Sequence, residues 1–268
     1  MYNSQYALAY NPFDKQQLPE KDCFRSKDFQ EMTARLDYLK DTRGIGLFTA
    51  SPGMGKTYAL RCFAKGLNPN LYHMEYICLS TVSVAEFYKQ LCFILGVPAK
   101  GGKPGMFKAI QEQVWYLYHE KRQPLFLAID EAQYLSTGIL NDIKMLMNYG
   151  YDAVNCFTLI LCGESHLNGT LRRPVHEALR QRITVHYNYQ GLTDEEAVSY
   201  IIHKLERAGA ARTVIDEAAM RAVAGHAHGN PRLIDNIMND AVTIGAQSDK
   251  TTIDTEVILA AVNNQNLG

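Results

Sequence analysis

Two short runs of residues carry the chemistry of this chain. Ala50-Ser51-Pro52-Gly53-Met54-Gly55-Lys56-Thr57 puts two glycines, a lysine and a hydroxyl between two regular runs. The run before it, Gly44 to Thr49, is apolar and strand-like. The run after it, Tyr58 to Ala64, is made of good helix formers. A glycine loop between a strand and a helix turns backbone N–H groups inward around a phosphate, and the helix N-terminus adds its positive dipole end. In that arrangement Lys56 reaches the β- and γ-phosphates, and the Thr57 hydroxyl ligates Mg²⁺. The second run is Leu125-Phe126-Leu127-Ala128-Ile129, followed by Asp130-Glu131. Consecutive apolar residues read as a strand buried on both faces. Asp130, at its C-terminal end, holds Mg²⁺ directly or through water. Glu131 polarises the attacking water as a general base. The two runs together predict a protein that binds a nucleoside triphosphate with Mg²⁺ and hydrolyses it. One departure stands out. The usual loop pattern starts with glycine, and here that position is Ala50, whose methyl is tolerated if φ stays negative.

The elements that must position these residues alternate in type. Tyr72 to Leu79 reads as a strand, and Ser83 opens a helix from Val84 to Leu95 that Gly96 and Pro98 close. Ala99 to Gly105 reads as a flexible basic loop. Met106 to His119 is amphipathic, with Ile110, Val114, Leu117 and Tyr118 on one face. Ile139 to Asn148 is a further amphipathic helix, and Phe157 to Gly163 and Ile183 to Tyr187 are further strands. Such alternation predicts a parallel α/β sheet sandwiched by helices, with ligands at the C-terminal ends of the strands. From Gly191 the pattern is all helical. Thr193 and Glu196 form a capping box before a helix from Glu195 to Ala208. Three more helices follow, at Ala218 to His226, from Pro231 onward, and at Thr255 to Asn263. The expected organisation is a nucleotide-binding α/β domain over 1–189 and a small helical domain over 190–268.

Composition narrows the class. The chain has 268 residues, 47% of them apolar, which is enough for a sizeable core. A formal net charge of −1 does not announce a nucleic-acid binder, so any DNA contact must come from a local patch. Cys23, Cys62, Cys78, Cys92, Cys156 and Cys162 form no Cys-x-x-Cys pair, and read as reduced thiols of a cytoplasmic protein. No stretch approaches the roughly 20 apolar residues that span a bilayer. The first residues have no basic region before an apolar core, so they do not read as a signal peptide.

In this order and spacing the motifs resemble the AAA+ ATPases, and within them the ExeA/TniB-type group. That group includes the TnsC-like ATPase subunits of transposition systems and an ATPase of type II secretion. The matching runs are Tyr10-Asn11-Pro12-Phe13, Ser51 to Thr57, Ile129-Asp130-Glu131-Ala132-Gln133, Leu161-Cys162-Gly163-Glu164, Ala178 to Ile183, and Gly229-Asn230-Pro231-Arg232. The resemblance implies a P-loop AAA+ sheet followed by a helical lid, with ATP as the nucleotide. It implies that Ser51, Pro52, Gly53, Met54, Gly55, Lys56, Thr57 and Tyr58 contact the nucleotide. Arg232 takes the place of the sensor 2 arginine that touches the γ-phosphate. Arg182 matches the finger that such ATPases insert into a neighbour's site, which requires a ring or filament of identical chains. Arg180 is the competing candidate. Pro12 and Phe13 look like the adenine-side wall, although Phe13 could equally be a core aromatic. The sensor 1 position, usually a small polar or amide residue, is Glu164.

Three functions compete on this reading. The first is an ATPase that oligomerises on double-stranded DNA and recruits or activates a transposase, with Lys100 and Lys103 meeting DNA phosphates. Arg172 and Arg173 are a second basic pair. The second is a secretion-type ATPase. Its relatives continue into a membrane anchor, whereas this sequence ends at Gly268, which favours the first. The third is an ATP-dependent protein switch without DNA, to which Ala50 and Glu164 lend support. The sequence favours the first, with no membrane partner.

Overall fold

A computed structural model of the chain describes residues 5–14 and 23–265. The chain divides into two compact units. One comprises residues 31–52 and 56–189. The other comprises the described residues before Glu31, the loop residues Gly53–Gly55, and everything from Gln190 on.

The first unit is built on five strands: β1 (Gly44–Thr49), β2 (His73–Ile77), β3 (Leu125–Ile129), β4 (Phe157–Gly163) and β5 (Ile183–Asn188). All pairings are parallel, in the order β2-β3-β4-β1-β5. Hydropathy sorts the strands into centre and edge. Every residue of β1, β3 and β4 is buried, and these are the strands with continuous apolar runs. β2 and β5 carry Glu75, Tyr76, Thr184 and His186 and are only partly covered, as edge strands must be. Parallel neighbours need crossovers. They are supplied by α2 (Lys56–Gly66), α3 (Val84–Ile94), α4 (Gly102–His119), α5 (Thr137–Leu146), α6 (His166–Leu171) and α7 (Glu177–Arg180), with α1 (Lys27–Thr42) leading into β1. The core packs Phe87, Leu91, Ile110 and Ile139 of the helices against Leu127, Ile129, Leu159 and Leu161 of the sheet.

Two elements differ from expectation. α1 has no counterpart in the sequence reading, because its hydrophobic face is thin and its surface highly charged. The Gly-rich basic stretch before Met106 is not all loop. α4 begins at Gly102, after Gly101 in the left-handed region at φ +77°. Lys103 and Pro104 form its first turn, where a missing N–H does no harm.

The second unit holds α8 (Asp194–Arg207), α9 (Glu217–Ala227), α10 (Pro231–Gln247) and α11 (Thr255–Gln265). The capping box of Thr193 and Glu196 is present. Asn230 caps α10 ahead of Pro231. Ile201, Val223, Ile234, Met238 and Ile258 fill the core, joined by Tyr6, Leu8 and Phe13. The change of unit after Tyr189 coincides with the change of sequence pattern. The N-terminal segment, assigned by sequence to the α/β part, groups instead with the helices, because its aromatic side chains are buried among them.

Asp28, in the first turn of α1, is 4% exposed. Its carboxylate accepts the N–H groups of Gln190 at 3.0 Å and Gly191 at 2.8 Å, fixing the chain where the helices begin. Asp28→Ala removes this acceptor and is expected to cost about 1–3 kcal/mol in a urea unfolding titration.

Candidate nucleotide-binding site

The C-terminal ends of β1, β3 and β4 converge on one polar cluster. Beyond β1, Ala50 donates its N–H to the Gly163 carbonyl at 3.1 Å, extending the β1–β4 pairing by one residue. Its φ is not positive, so a methyl replaces the usual glycine hydrogen without strain. Gly53 and Gly55 do take positive φ, +87° and +92°, as a loop that turns its N–H groups inward must. Lys56 and Thr57 open α2. Lys56 is 9% exposed, and its Nζ donates to the Ala50 carbonyl at 3.1 Å and the Ser51 carbonyl at 3.4 Å. Burial pushes its ammonium below the usual lysine range, against the opposing pull of Cys162, Asp130, Glu131 and Glu164. Ser51, Pro52 and Thr57 are exposed, while Met54 and Tyr58 are half-buried.

Asp130 is the hub. It is 4% exposed, and its Oδ2 accepts the Thr57 hydroxyl at 2.7 Å and the Tyr76 hydroxyl at 2.8 Å. Its own N–H donates to the Ile77 carbonyl at 2.8 Å, and its carbonyl accepts Ser80 Oγ at 2.7 Å. Burial, and then the bond to Asp130, push the Tyr76 phenol well above its usual range. Cys162, under the same cluster, is pushed up by burial. Glu131 follows with φ +52° and ψ +36°, its N–H on Asp130 Oδ1 at 3.0 Å. Its carboxylate Oε2 accepts Gln133 Nε2 at 2.6 Å. Glu164, at the sensor 1 position, points its carboxylate to His166 Nδ1 at 3.4 Å. Asn168 Nδ2 donates to Thr49 Oγ1 at 3.0 Å and to Asn188 Oδ1 at 2.8 Å, tying the ends of β1 and β5.

Sequence reasoning singled out Lys56, Thr57, Asp130 and Glu131: the first two open α2 and the last two follow β3. It missed Tyr76, Ser80, Asn168 and Asn188, and gave Gln133 no role. Only Gln133, two residues after Glu131 in a quoted run, left a signal in the sequence.

The remaining candidates are scattered. Arg182 makes a two-point ion pair with Asp152, at 2.5 and 2.6 Å. Its rival Arg180 donates to the Leu171 and Arg172 carbonyls at 3.3 and 3.0 Å, capping the C-terminus of α6. That structural commitment distinguishes the two arginines. Within the helical unit, which includes Gly53, a Cβ on Gly53 would lie 2.5 Å from Asn230 Oδ1 and 2.8 Å from Arg232 Cβ. The start of α10 therefore approaches Gly53 as closely as a glycine allows. Pro12 and Phe13 are buried. Phe13 is 4% exposed and joins the helical core, beneath the Lys204 ammonium at 5.5 Å. Lys100 is exposed. Lys103 is half-exposed, and its ammonium sits 2.7 Å from the carboxylate of Asp142, which is only 4% exposed. Its charge is therefore already paired. Among the described residues no helix is long and apolar enough to cross a membrane.

Comparison with known proteins agrees with this geometry. Residues 39–171 match the family described as AAA domain. The chain is 28% identical over 249 residues to the general secretion pathway protein A of Aeromonas hydrophila, covering 92% of this chain and 45% of that protein. It thus spans less than half the length of that relative. Among solved structures, Cdc6p from Pyrobaculum aerophilum is similar with a TM-score of 0.73 and 17% identity, over 96% of this chain and 71% of that one. Drosophila ORC bound to DNA is similar with a TM-score of 0.71 and 15% identity, over 96% of this chain and 65% of that one. The fold is the α/β AAA+ fold.

The pairing of Lys103 separates two basic residues that the sequence treats alike. Lys103→Met strands the buried Asp142 carboxylate and is expected to cost about 1–3 kcal/mol. Lys100→Ala is expected to change stability by less than about 0.5 kcal/mol. Paired guanidinium unfolding curves check both.

Proposed function

We propose that this chain hydrolyses ATP with Mg²⁺, and that it does so as a homo-oligomer assembled on double-stranded DNA, where it recruits or activates a transposase. The observation that carries the hydrolytic half is the meeting of Thr57 Oγ1 and Asp130 Oδ2 at 2.7 Å. A hydroxyl and a carboxylate side by side, next to a loop with Gly53 and Gly55 at positive φ, form an all-oxygen donor set of the kind Mg²⁺ takes beside substrate phosphates. Mg²⁺ held there would neutralise charge on the phosphate oxygens.

The chain's own residues do the rest. The backbone of Ser51 to Tyr58 cradles the phosphates. Lys56, which now donates to loop carbonyls, turns its donors to the β- and γ-phosphates. Glu131 accepts the proton of the water that attacks the γ-phosphorus, and the bond to the leaving β-phosphate oxygen breaks. Arg232, whose Cβ lies against Gly53, reaches the γ-phosphate. Arg182 is the finger for a neighbouring chain, and entering that site requires it to leave Asp152. Arg180 remains the competing candidate, and its bonds to the end of α6 favour Arg182.

Support for DNA as the platform is the similarity of fold to Drosophila ORC bound to DNA, with exposed Lys100 and the Arg172–Arg173 pair as phosphate contacts. Lys103 contributes there only by sharing its ammonium with Asp142. The transposase partner rests on the sequence resemblance. A cytoplasmic location is supported by six free cysteines. A second reading, an ATPase of secretion, is favoured by the match to general secretion pathway protein A. The end of the chain at Gly268 does not separate the two, since the match covers only 45% of that relative.

The test is ATP turnover together with particle shape by negative-stain microscopy, with and without duplex DNA, under ATP and under ADP. Rings or filaments that need both ATP and DNA are the expected result. Arg182→Ala should then lower turnover about 10³-fold with nucleotide binding intact. Lys100→Ala should reduce the salt slope of DNA binding by about 1. Turnover and assembly indifferent to DNA would transfer the reading to the secretion type.

A further inference from the structure

Glu131 is held in a backbone conformation that residues with side chains rarely adopt, φ +52° and ψ +36°. Three bonds hold it. Its N–H donates to Asp130 Oδ1 at 3.0 Å, its carbonyl accepts the Tyr134 N–H at 3.1 Å, and its carboxylate Oε2 accepts Gln133 Nε2 at 2.6 Å. The last bond has an anchor behind it. Gln133 Oε1 accepts the N–H of Glu164 at 3.0 Å. With its oxygen committed to a backbone donor, the amide can only present its N–H to Glu131.

Space for this amide is provided separately. Gly163, the last residue of β4, has no positive φ, so its backbone does not demand glycine. A Cβ there would lie 2.8 Å from Gln133 Oε1 and 3.3 Å from Gln133 N. The missing side chain leaves the amide its seat. Glu164, whose carboxylate turns to His166, contributes its backbone N–H here and leaves the polar position beside Glu131 to Gln133.

We infer that Gln133 is a positioning residue for hydrolysis: it ties Oε2 of Glu131 to the end of β4 and leaves Oε1 free to take the proton of the attacking water. This rests on the reading of Glu131 as the general base. A carboxylate on a flexible side chain is a poor base unless one rotamer is selected; hydrogen bonds that orient metal ligands matter by about 10- to 100-fold in activity, and the same scale is expected of this one. Gln133 acts through Glu131, to which it donates, so its loss should appear in kcat and leave substrate binding alone.

The test uses the full-length chain, with ATP turnover and binding of a fluorescent ATP analogue measured in parallel. Gln133→Glu keeps the size of the side chain and can still accept the Glu164 N–H, but cannot donate to Glu131. Gln133→Met keeps the length and loses both bonds. Both variants are expected to lose about 10- to 100-fold in kcat, with KM and analogue affinity unchanged. In a Glu131→Gln background, where the base is already gone, neither should lower the residual rate further. Wild-type kcat in Gln133→Glu, a fall in analogue affinity matching the fall in rate, or an equal further loss in the Glu131→Gln background would each overturn the inference. The underlying reading fails in a different way: Glu131→Gln itself would turn over ATP at the wild-type rate, and the positioning role would fall with it.

Discussion

The structure of the site depends on one buried carboxylate. Asp130 sits at the end of the most apolar strand, where an unpaired charge would be costly. It is compensated by donors from three directions: Thr57 from the loop helix, Tyr76 from the edge strand, and the backbone of Glu131. Because Asp130 must be satisfied, the loop after β1 and the end of β2 are drawn to the end of β3. The sheet order makes this possible. β4 lies between β3 and β1, and its own end at Gly163 contributes a carbonyl to Ala50 and an open seat for Gln133.

The same economy of contacts explains the two departures from the usual motif. Ala50 is tolerated because its residue extends a strand pairing and needs no positive φ, whereas Gly53 and Gly55, which do need it, are retained. Glu164, at the end of β4, turns its carboxylate toward His166 and donates its N–H to Gln133, while its charge still acts on Lys56.

Charge pairing similarly sorts residues that look equivalent on paper. Arg180 and Arg182 are two positions apart, yet one caps a helix end through neutral carbonyls and the other forms an ion pair with Asp152. Lys100 and Lys103 share a glycine-rich stretch, yet the second sits on a buried aspartate and supports the junction of α4 and α5. Neither distinction depends on residue type. Each depends on what the fold brings within about 3 Å, the reach of a hydrogen bond.

The sequence by itself determined the parallel α/β sheet, and it pointed to a helical region after Tyr189 and to Lys56, Thr57, Asp130 and Glu131 as candidates. Those follow from local rules: continuous apolar runs for buried strands, glycines where a loop takes positive φ, capping residues at helix starts. Only the tertiary structure decided that the N-terminal residues around Tyr6 and Phe13 belong with the helices, that Lys103 is paired with Asp142, that Arg182 pairs with Asp152 while Arg180 caps a helix end, and that Tyr76 bonds Asp130 and Gln133 bonds Glu131. The physical reason is range. Propensity and periodicity act within a few residues along the chain. The Tyr76–Asp130 bond, by contrast, joins residues 54 apart and the Thr57–Asp130 bond residues 73 apart, and such pairs exist only once the strands have chosen their neighbours.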